Sequence, residues 1–162
     1  IYQKALDADL IRGRSIEGMA TAALYAGSRI EGVPRSIDEL AGVSRVGALE
    51  VERTYRYLTT ELDLEIAPTD PESYIPRFAS KLDCSNETER RARELTRTAV
   101  EKGVHSGRNP VGIAASALYA AARLTDEGII QADVSDIANV SMVTIRNRYT
   151  EILDAVDNTS DG

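Results

Sequence analysis

The residues of this chain best placed to do chemistry are arginines near its C-terminus. The run Met142-Val143-Thr144-Ile145-Arg146-Asn147-Arg148-Tyr149 follows Ser141, a residue suited to cap a helix N-terminus. On a 3.6-residue period Ile145, Tyr149 and Ile152 fall on one side, while Val143, Arg146, Asn147 and Thr150 face outward. A guanidinium held outward near a helix N-terminus can donate two hydrogen bonds to guanine in a DNA major groove. The same pattern also suits a solvated helix face with ordinary surface arginines, and the helix alone does not separate the two.

Other reactive side chains lack the company that catalysis needs. His105 is the one histidine and has no ligand partner at metal spacing, so it reads as a turn residue. Cys84, the one cysteine, follows an apolar helical run and reads as a small buried residue; alone it excludes an internal disulfide framework or a multi-cysteine zinc site within this sequence. There is no Gly-rich phosphate loop, no His–carboxylate pairing and no metal-ligand spacing, so an enzyme is not expected. Arg90, Arg91, Arg93 and Arg97 form a locally basic cluster, which reads as a solvated helix face ahead of a DNA or polymerase surface.

The elements that must hold these residues come from an internal repeat. Ala20-Thr21-Ala22-Ala23-Leu24-Tyr25-Ala26-Gly27-Ser28-Arg29 is echoed by Ala114-Ala115-Ser116-Ala117-Leu118-Tyr119-Ala120-Ala121-Ala122-Arg123, and Gly13-Arg14 by Gly107-Arg108 at the same spacing. Downstream, the segment from Ile37 to Ser44 matches that from Val134 to Ser141, and Tyr55 pairs with Tyr149. Apolar spacing of three and four predicts helices over 15–30, 47–62, 74–83, 87–102, 110–124 and 142–156, with short ones at 37–42 and 134–139. Ser36 with Glu39 and Asn86 with Glu89 read as capping boxes, and Asn109-Pro110 as a cap followed by proline at the first helical position. In each copy a short helix, a turn ending in Val-Ser and a longer helix form a helix-turn-helix layout. Tyr25 and Tyr119, at equivalent places, are expected in the core with their hydroxyls wet.

Pro68, Asp70 and Pro71 interrupt the pattern, which gives a first repeat at 1–63, a linker at 64–73, a second repeat at 74–157 and a disordered tail at 158–162. Helical pattern in the second copy starts well before the position matching Ile1. The first copy is therefore expected to lack its opening helix and part of its second, leaving some of its core uncovered.

With 162 residues and 43% hydrophobic content, two small cores are affordable. No run approaches the roughly 18 apolar residues of a membrane span, and no signal-peptide layout is present, so a soluble, intracellular protein is expected. The net charge of −7 opposes non-specific nucleic-acid binding, which draws on phosphate neutralisation. Arginine, however, far outnumbers lysine, found only as Lys4, Lys81 and Lys102, and the acidic residues are spread along the chain. This is the surface of a salt-adapted protein, in whose setting salt screens repulsion from DNA as well as attraction.

Four segments together carry a family resemblance: Arg12-Gly13-Arg14-Ser15-Ile16-Glu17-Gly18, Gly32-Val33-Pro34-Arg35-Ser36-Ile37-Asp38-Glu39, Arg53-Thr54-Tyr55-Arg56 and Val143-Thr144-Ile145-Arg146-Asn147-Arg148-Tyr149. They closely resemble archaeal transcription factor B, kin to eukaryotic transcription factor IIB, over nearly the whole chain. The resemblance implies an all-α fold of two cyclin-like five-helix repeats, the first truncated at its N-terminus. It also implies a general initiation factor that binds promoter DNA held by TATA-binding protein, reads the recognition element upstream of TATA and helps recruit RNA polymerase. On that basis Val143 and Arg146 are the expected base readers, with Thr144 and Asn147 on the DNA backbone. Arg14 and Arg108 each precede a repeat's central helix, where the side chain and backbone N–H groups can share a phosphate, although a surface arginine beside a turn has the same appearance. Contact with TATA-binding protein is implied around Arg29 and the turn after Ser44, which includes Arg45. Here the chain departs from its relatives, carrying Val46-Gly47-Ala48-Leu49-Glu50 where basic residues are usual. The resemblance further implies a monomer in the archaeal cytoplasm at the nucleoid, and an upstream zinc ribbon outside these residues, with no cofactor within them. The rival reading is a cyclin-like module that binds only proteins; it gives no reason for an arginine-bearing recognition helix.

Overall fold

A computed structural model describes residues 1–33, 35–67 and 69–160, the last without its side chain. Pro34, within one of the motif segments, Pro68, within the expected linker, and 161–162, within the expected tail, lie outside the described residues. Among those described the structure is all-α, in two compact units, Ile1–Thr69 and Asp70–Gly162. The first holds α1 (Tyr2–Asp7), α2 (Ile16–Ile30), α3 (Ile37–Gly42) and α4 (Ala48–Glu61). The second opens with a 3₁₀ turn, Pro71–Tyr74, followed by α5 (Ile75–Lys81), α6 (Asn86–Glu101), α7 (Pro110–Leu124), α8 (Gln131–Ala138) and α9 (Met142–Ser160). The stretch 64–73, read as a linker, is divided between the units. Its last residues join the second because Asp70 accepts the Glu72 N–H at 3.0 Å and Tyr74 stacks on Phe78 at 5.8 Å.

The second unit is built around α7, which is buried from Val111 to Ala122. Its alanines leave room for close neighbours, and α5, α6, α8 and α9 all pack on it. From α6 come Ala92, Leu95, Thr96 and Ala99, spaced as one helical stripe, and from α9 Ile145 and Ile152, both fully buried. Burying one such side chain contributes about 1.5–3 kcal/mol.

In the first unit α2 takes the place of α7, with Met19, Ala22 and Ala23 against Val51 and Leu58 of α4. The repeat extends to ring geometry. Tyr25 meets Tyr55 edge-on at 4.8 Å, and Tyr119 meets Tyr149 edge-on at 5.0 Å; each pair is worth about 0.5–1.5 kcal/mol beyond its buried area. Both tyrosines are buried, and their hydroxyls accept from Arg29 at 3.4 Å and Arg123 at 3.2 Å. One difference separates the units. The 3₁₀ turn and α5 pack on α7, whereas on α2 Ala20, Ala23, Leu24 and Gly27 line an open apolar groove of about 650 Å³.

Helix starts follow side-chain chemistry, with two departures from expectation. Ser36 accepts the Glu39 N–H at 3.1 Å and Asn109 the Val111 N–H at 2.9 Å, as their types predict. The cap of α6 is Ser85, one residue before the expected Asn86, because its hydroxyl accepts the Thr88 N–H at 3.2 Å and its own N–H donates to Glu127 at 2.9 Å. Similarly, α8 begins at Gln131 rather than 134, since Asp133 accepts the Ile130 N–H at 3.3 Å and fixes an earlier first turn. At the other end of the chain, α9 continues to Ser160 through residues read as tail.

Candidate nucleic-acid interface

Residue Asn139 ends α8 in the left-handed conformation, φ 53° and ψ 46°, a geometry asparagine tolerates better than most residues. Two residues later Ser141 accepts the Thr144 N–H at 3.2 Å and opens α9. Rotation of α9 about its axis is then fixed by three anchors: Ile145 and Ile152 in the core and Tyr149 against Tyr119. Only one face remains for solvent. It carries Val143 at 56% exposure, with Arg146 and Asn147 beside it, as the helical spacing predicts. Among the described residues Arg146 forms no ion pair, so its guanidinium N–H groups are available to a ligand. Thr150 turns its hydroxyl back onto the Arg146 carbonyl at 3.0 Å and offers little outward.

Thr144 is half-buried. Its hydroxyl lies 2.9 Å from Ser141 Oγ, and its methyl approaches Gly112, where an added Cβ would sit 3.4 Å away. Thr144 thus seats the helix start on α7 as well as standing near the outward face. Beside it, Gly107, Arg108, Asn109 and Arg148 line a cleft of about 270 Å³. Glu151 sits between two arginines there, pairing with Arg148 at 2.8 Å and with Arg108. Arg108 also donates to the Val104 carbonyl at 3.0 Å. Its guanidinium is therefore engaged within the second unit.

Arg14, its repeat partner, is held differently. Position 57 takes the place of 151, and the Arg14 guanidinium carbon lies over the Tyr57 ring, 3.6 Å from its centroid. Cation–π contact uses the face of the guanidinium and leaves its edge donors for another acceptor. Sequence reasoning missed Arg148, Glu151 and Tyr57. The first two had a signal in their i, i+3 spacing, but the reach of Glu151 to Arg108 is tertiary.

The two arginines expected at TATA-binding protein are not brought together. Arg29 stacks near Tyr25 and donates to the Ala67 carbonyl at 2.7 Å, at the C-terminal end of α2. Arg45 is tied by its backbone N–H to Glu17 at 2.7 Å, at the other end. At 1.5 Å per residue, Glu17 and Arg29 stand about 18 Å apart along the helix. The basic cluster on α6 is largely neutralised: Arg91 pairs with Glu94, Arg93 with Glu89, and Arg97 makes two hydrogen bonds to Glu72 at 2.7 and 3.0 Å. His105 lies in a turn, its carbonyl accepting from the Arg108 N–H, and no metal-holding group of His, Cys, Asp or Glu occurs among the described residues. Burial, reinforced by Glu127, Glu89 and Asp83, pushes the Cys84 thiol up to about 11, which keeps it protonated at neutral pH. No helix among the described residues is long and apolar enough to cross a membrane.

Comparison with known proteins agrees with this architecture. The Transcription factor TFIIB repeat matches twice, over residues 1–61 and 65–155. Transcription initiation factor IIB 6 of Halobacterium salinarum is 62% identical over 157 residues, covering 97% of this chain and 49% of the relative. Transcription initiation factor IIB 2 of Haloferax volcanii is 60% identical over 159 residues, 98% of this chain and 48% of its own. Transcription initiation factor IIB of Archaeoglobus fulgidus is 51% identical over 152 residues, covering 94% of this chain and 47% of the relative. The chain spans about half the length of these relatives. The family consists of transcription factors, which removes the enzymatic alternative. With two copies of the repeat matched across most of its length, the chain belongs to the transcription factor TFIIB family, whose repeat is the cyclin-like all-α fold.

Proposed function

We propose that this chain is the promoter-binding core of a general transcription initiation factor, one that joins a complex of TATA-binding protein and DNA and reads the sequence upstream of TATA with α9. A single observation carries the reading: Val143, Arg146 and Asn147 stand together on the one face of α9 that its buried anchors leave to solvent. In this arrangement Val143 contacts a thymine methyl or other apolar base edge, and Arg146 donates to guanine O6 and N7. Asn147 and the start of α9 near Thr144 lie against the DNA backbone, and Arg14 contributes a phosphate contact that positions the protein without selecting sequence. Arg108 joins it once its pair with Glu151 opens. Arg29 and Arg45 contact TATA-binding protein at separate points. RNA polymerase is recruited to the assembled complex, and the chain acts as a monomer in an archaeal cytoplasm, at the nucleoid.

The net charge of −7 makes binding of this chain alone to DNA weak at low salt and places weight on the protein partner. Mobility shift with TATA-binding protein and TATA-containing duplex tests the reading. A ternary complex that requires both components supports it. Its absence from 0.1 M salt to multimolar salt favours a module that binds proteins only.

A further inference from the structure

Most helices of this chain stop with one turn design, but the residue at its tightest point is not always the same type. At the ends of α1, α2, α4, α5, α6 and α7 two successive N–H groups turn back onto the last carbonyls, so that the helix ends without orphaned acceptors. After α7, for instance, Asp126 donates to the Arg123 carbonyl at 3.3 Å and Glu127 to that of Ala122 at 2.8 Å. The first of the two residues must be left-handed, which suits glycine. Gly32 after α2 and Gly103 after α6 meet that need, at φ 70° and 74°. Aspartate stands in the same place elsewhere: Asp9 after α1, Asp63 after α4, Asp83 after α5 and Asp126 after α7, at φ 55°, 48°, 52° and 54°. Its carboxylate lies where the carbonyl dipoles already leave partial negative charge, so it opposes closure of the turn. Asp9 is offset by a pair with Arg12 at 3.1 Å. Asp63, Asp83 and Asp126 are exposed and form no ion pair among the described residues. A base stands in the last turn of α5 and of α7, Lys81 and Arg123, whereas the last turn of α4 has none and ends in Glu61.

We infer that Asp63, Asp83 and Asp126 make closure of these helix ends depend on ionic strength, so that the turns tighten as salt rises and fray as it falls. Screening is the cause, and no bound cation is required. At 0.1 M salt the screening length of about 10 Å leaves each carboxylate and the carbonyls beside it in full repulsion, and at 1 M it shrinks to about 3 Å. The effect reaches beyond the turn itself after α7. Glu127, next in the chain to Asp126, is the carboxylate that accepts the Ser85 N–H at 2.9 Å at the start of α6. Fraying after Asp126 therefore loosens the start of α6 as well. The ends of α2 and α6, closed by glycine, carry no charge at that point and are the internal reference.

The test is amide hydrogen exchange followed by NMR on the whole chain, from about 0.2 M to about 3 M KCl. It is read at the N–H groups that close the turns: Leu64, Cys84 and Glu127 after aspartate, Val33 and Val104 after glycine. Ratios taken within one sample cancel the effect of salt on the exchange chemistry. Protection of the aspartate set relative to the glycine set should rise about two- to fivefold across the series, most at Leu64, where no base offsets the charge. Asp126→Asn keeps a residue that tolerates the left-handed turn while removing the charge, and should abolish the rise at Glu127 but not at Leu64 or Cys84. Asp154→Asn, the same charge change within α9, should leave the rise at Glu127 intact. Equal salt dependence in the two sets of the unaltered chain would overturn the inference without recourse to any variant. So would a Glu127 amide that still follows salt once Asp126 is asparagine, or one that ceases to follow it in Asp154→Asn.

Discussion

At the scale of single residues, the structure sorts the arginines by what already holds them. Arg146 has no carboxylate partner among the described residues, whereas Arg108 and Arg148 share Glu151. Glu151→Gln should release both, raising DNA affinity and steepening its salt dependence by about one unit; anisotropy across a salt series measures it. Unchanged affinity would mean that Arg108 never turns outward. Arg14→Ala should weaken binding to all sequences alike, because a phosphate contact carries no base information, and a base-dependent loss in the same assay would contradict that role. The Cys84 thiol, pushed up to about 11, should react with iodoacetamide at pH 8 on the order of a hundredfold more slowly than an unperturbed cysteine. Much of this scale was legible in the sequence: a 3.6-residue period placed Arg146 and Asn147 outward and Ile145 and Ile152 inward. What it left dark were partners distant in the chain, such as Glu151 for Arg108, since no local pattern encodes a contact made by folding.

At the scale of elements, the proposed reading of DNA depends on how α9 is started and seated. Ser141→Ala removes the acceptor of the Thr144 N–H and should cost about 1 kcal/mol in urea denaturation, while loosening the turn that presents Val143. Gly112 faces the Thr144 methyl closely, so Gly112→Leu should push the start of α9 off α7 and weaken DNA binding more than Gly112→Ala does. The start of α6 has its own acid-sensitive clasp. Hydrogen bonds from Thr88 and from the backbone and hydroxyl of Ser85 hold the Glu127 carboxyl below its usual range. Its stabilisation is therefore complete above the unfolded value of about 4.3 and is lost as pH falls through the lower folded value. Glu127→Gln should flatten that part of the acid unfolding curve; an identical acid limb would show the clasp to be idle. From residue 15 onward helix positions were legible because caps and apolar spacing agree; α1 was not, having no side-chain cap to mark it. The early start of α8 and the shift of one cap to Ser85 were not, because each is decided by which nearby carboxylate captures a backbone N–H.

At the scale of the whole molecule, the repeat in the sequence becomes two units with separate cores, one larger and one with an open apolar face on α2. Amide exchange should accordingly be slowest in α7 and faster in α2, and equal protection of the two would contradict this account of the cores. The acidic surface is distributed over both units and laced with arginine–carboxylate pairs, each worth little alone. On the proposed reading, such a surface makes DNA binding depend on where the arginines without a carboxylate partner stand rather than on net charge. The central claim is that Arg146 reads a base. Selection of binding sites from duplexes randomised upstream of TATA, with TATA-binding protein present, compares the chain with Arg146→Ala most directly. The account predicts a preferred upstream sequence for the chain, and for the variant a loss of about 1–3 kcal/mol on that sequence with its preference flattened at one position. The same preferred sequence recovered by both proteins would contradict it.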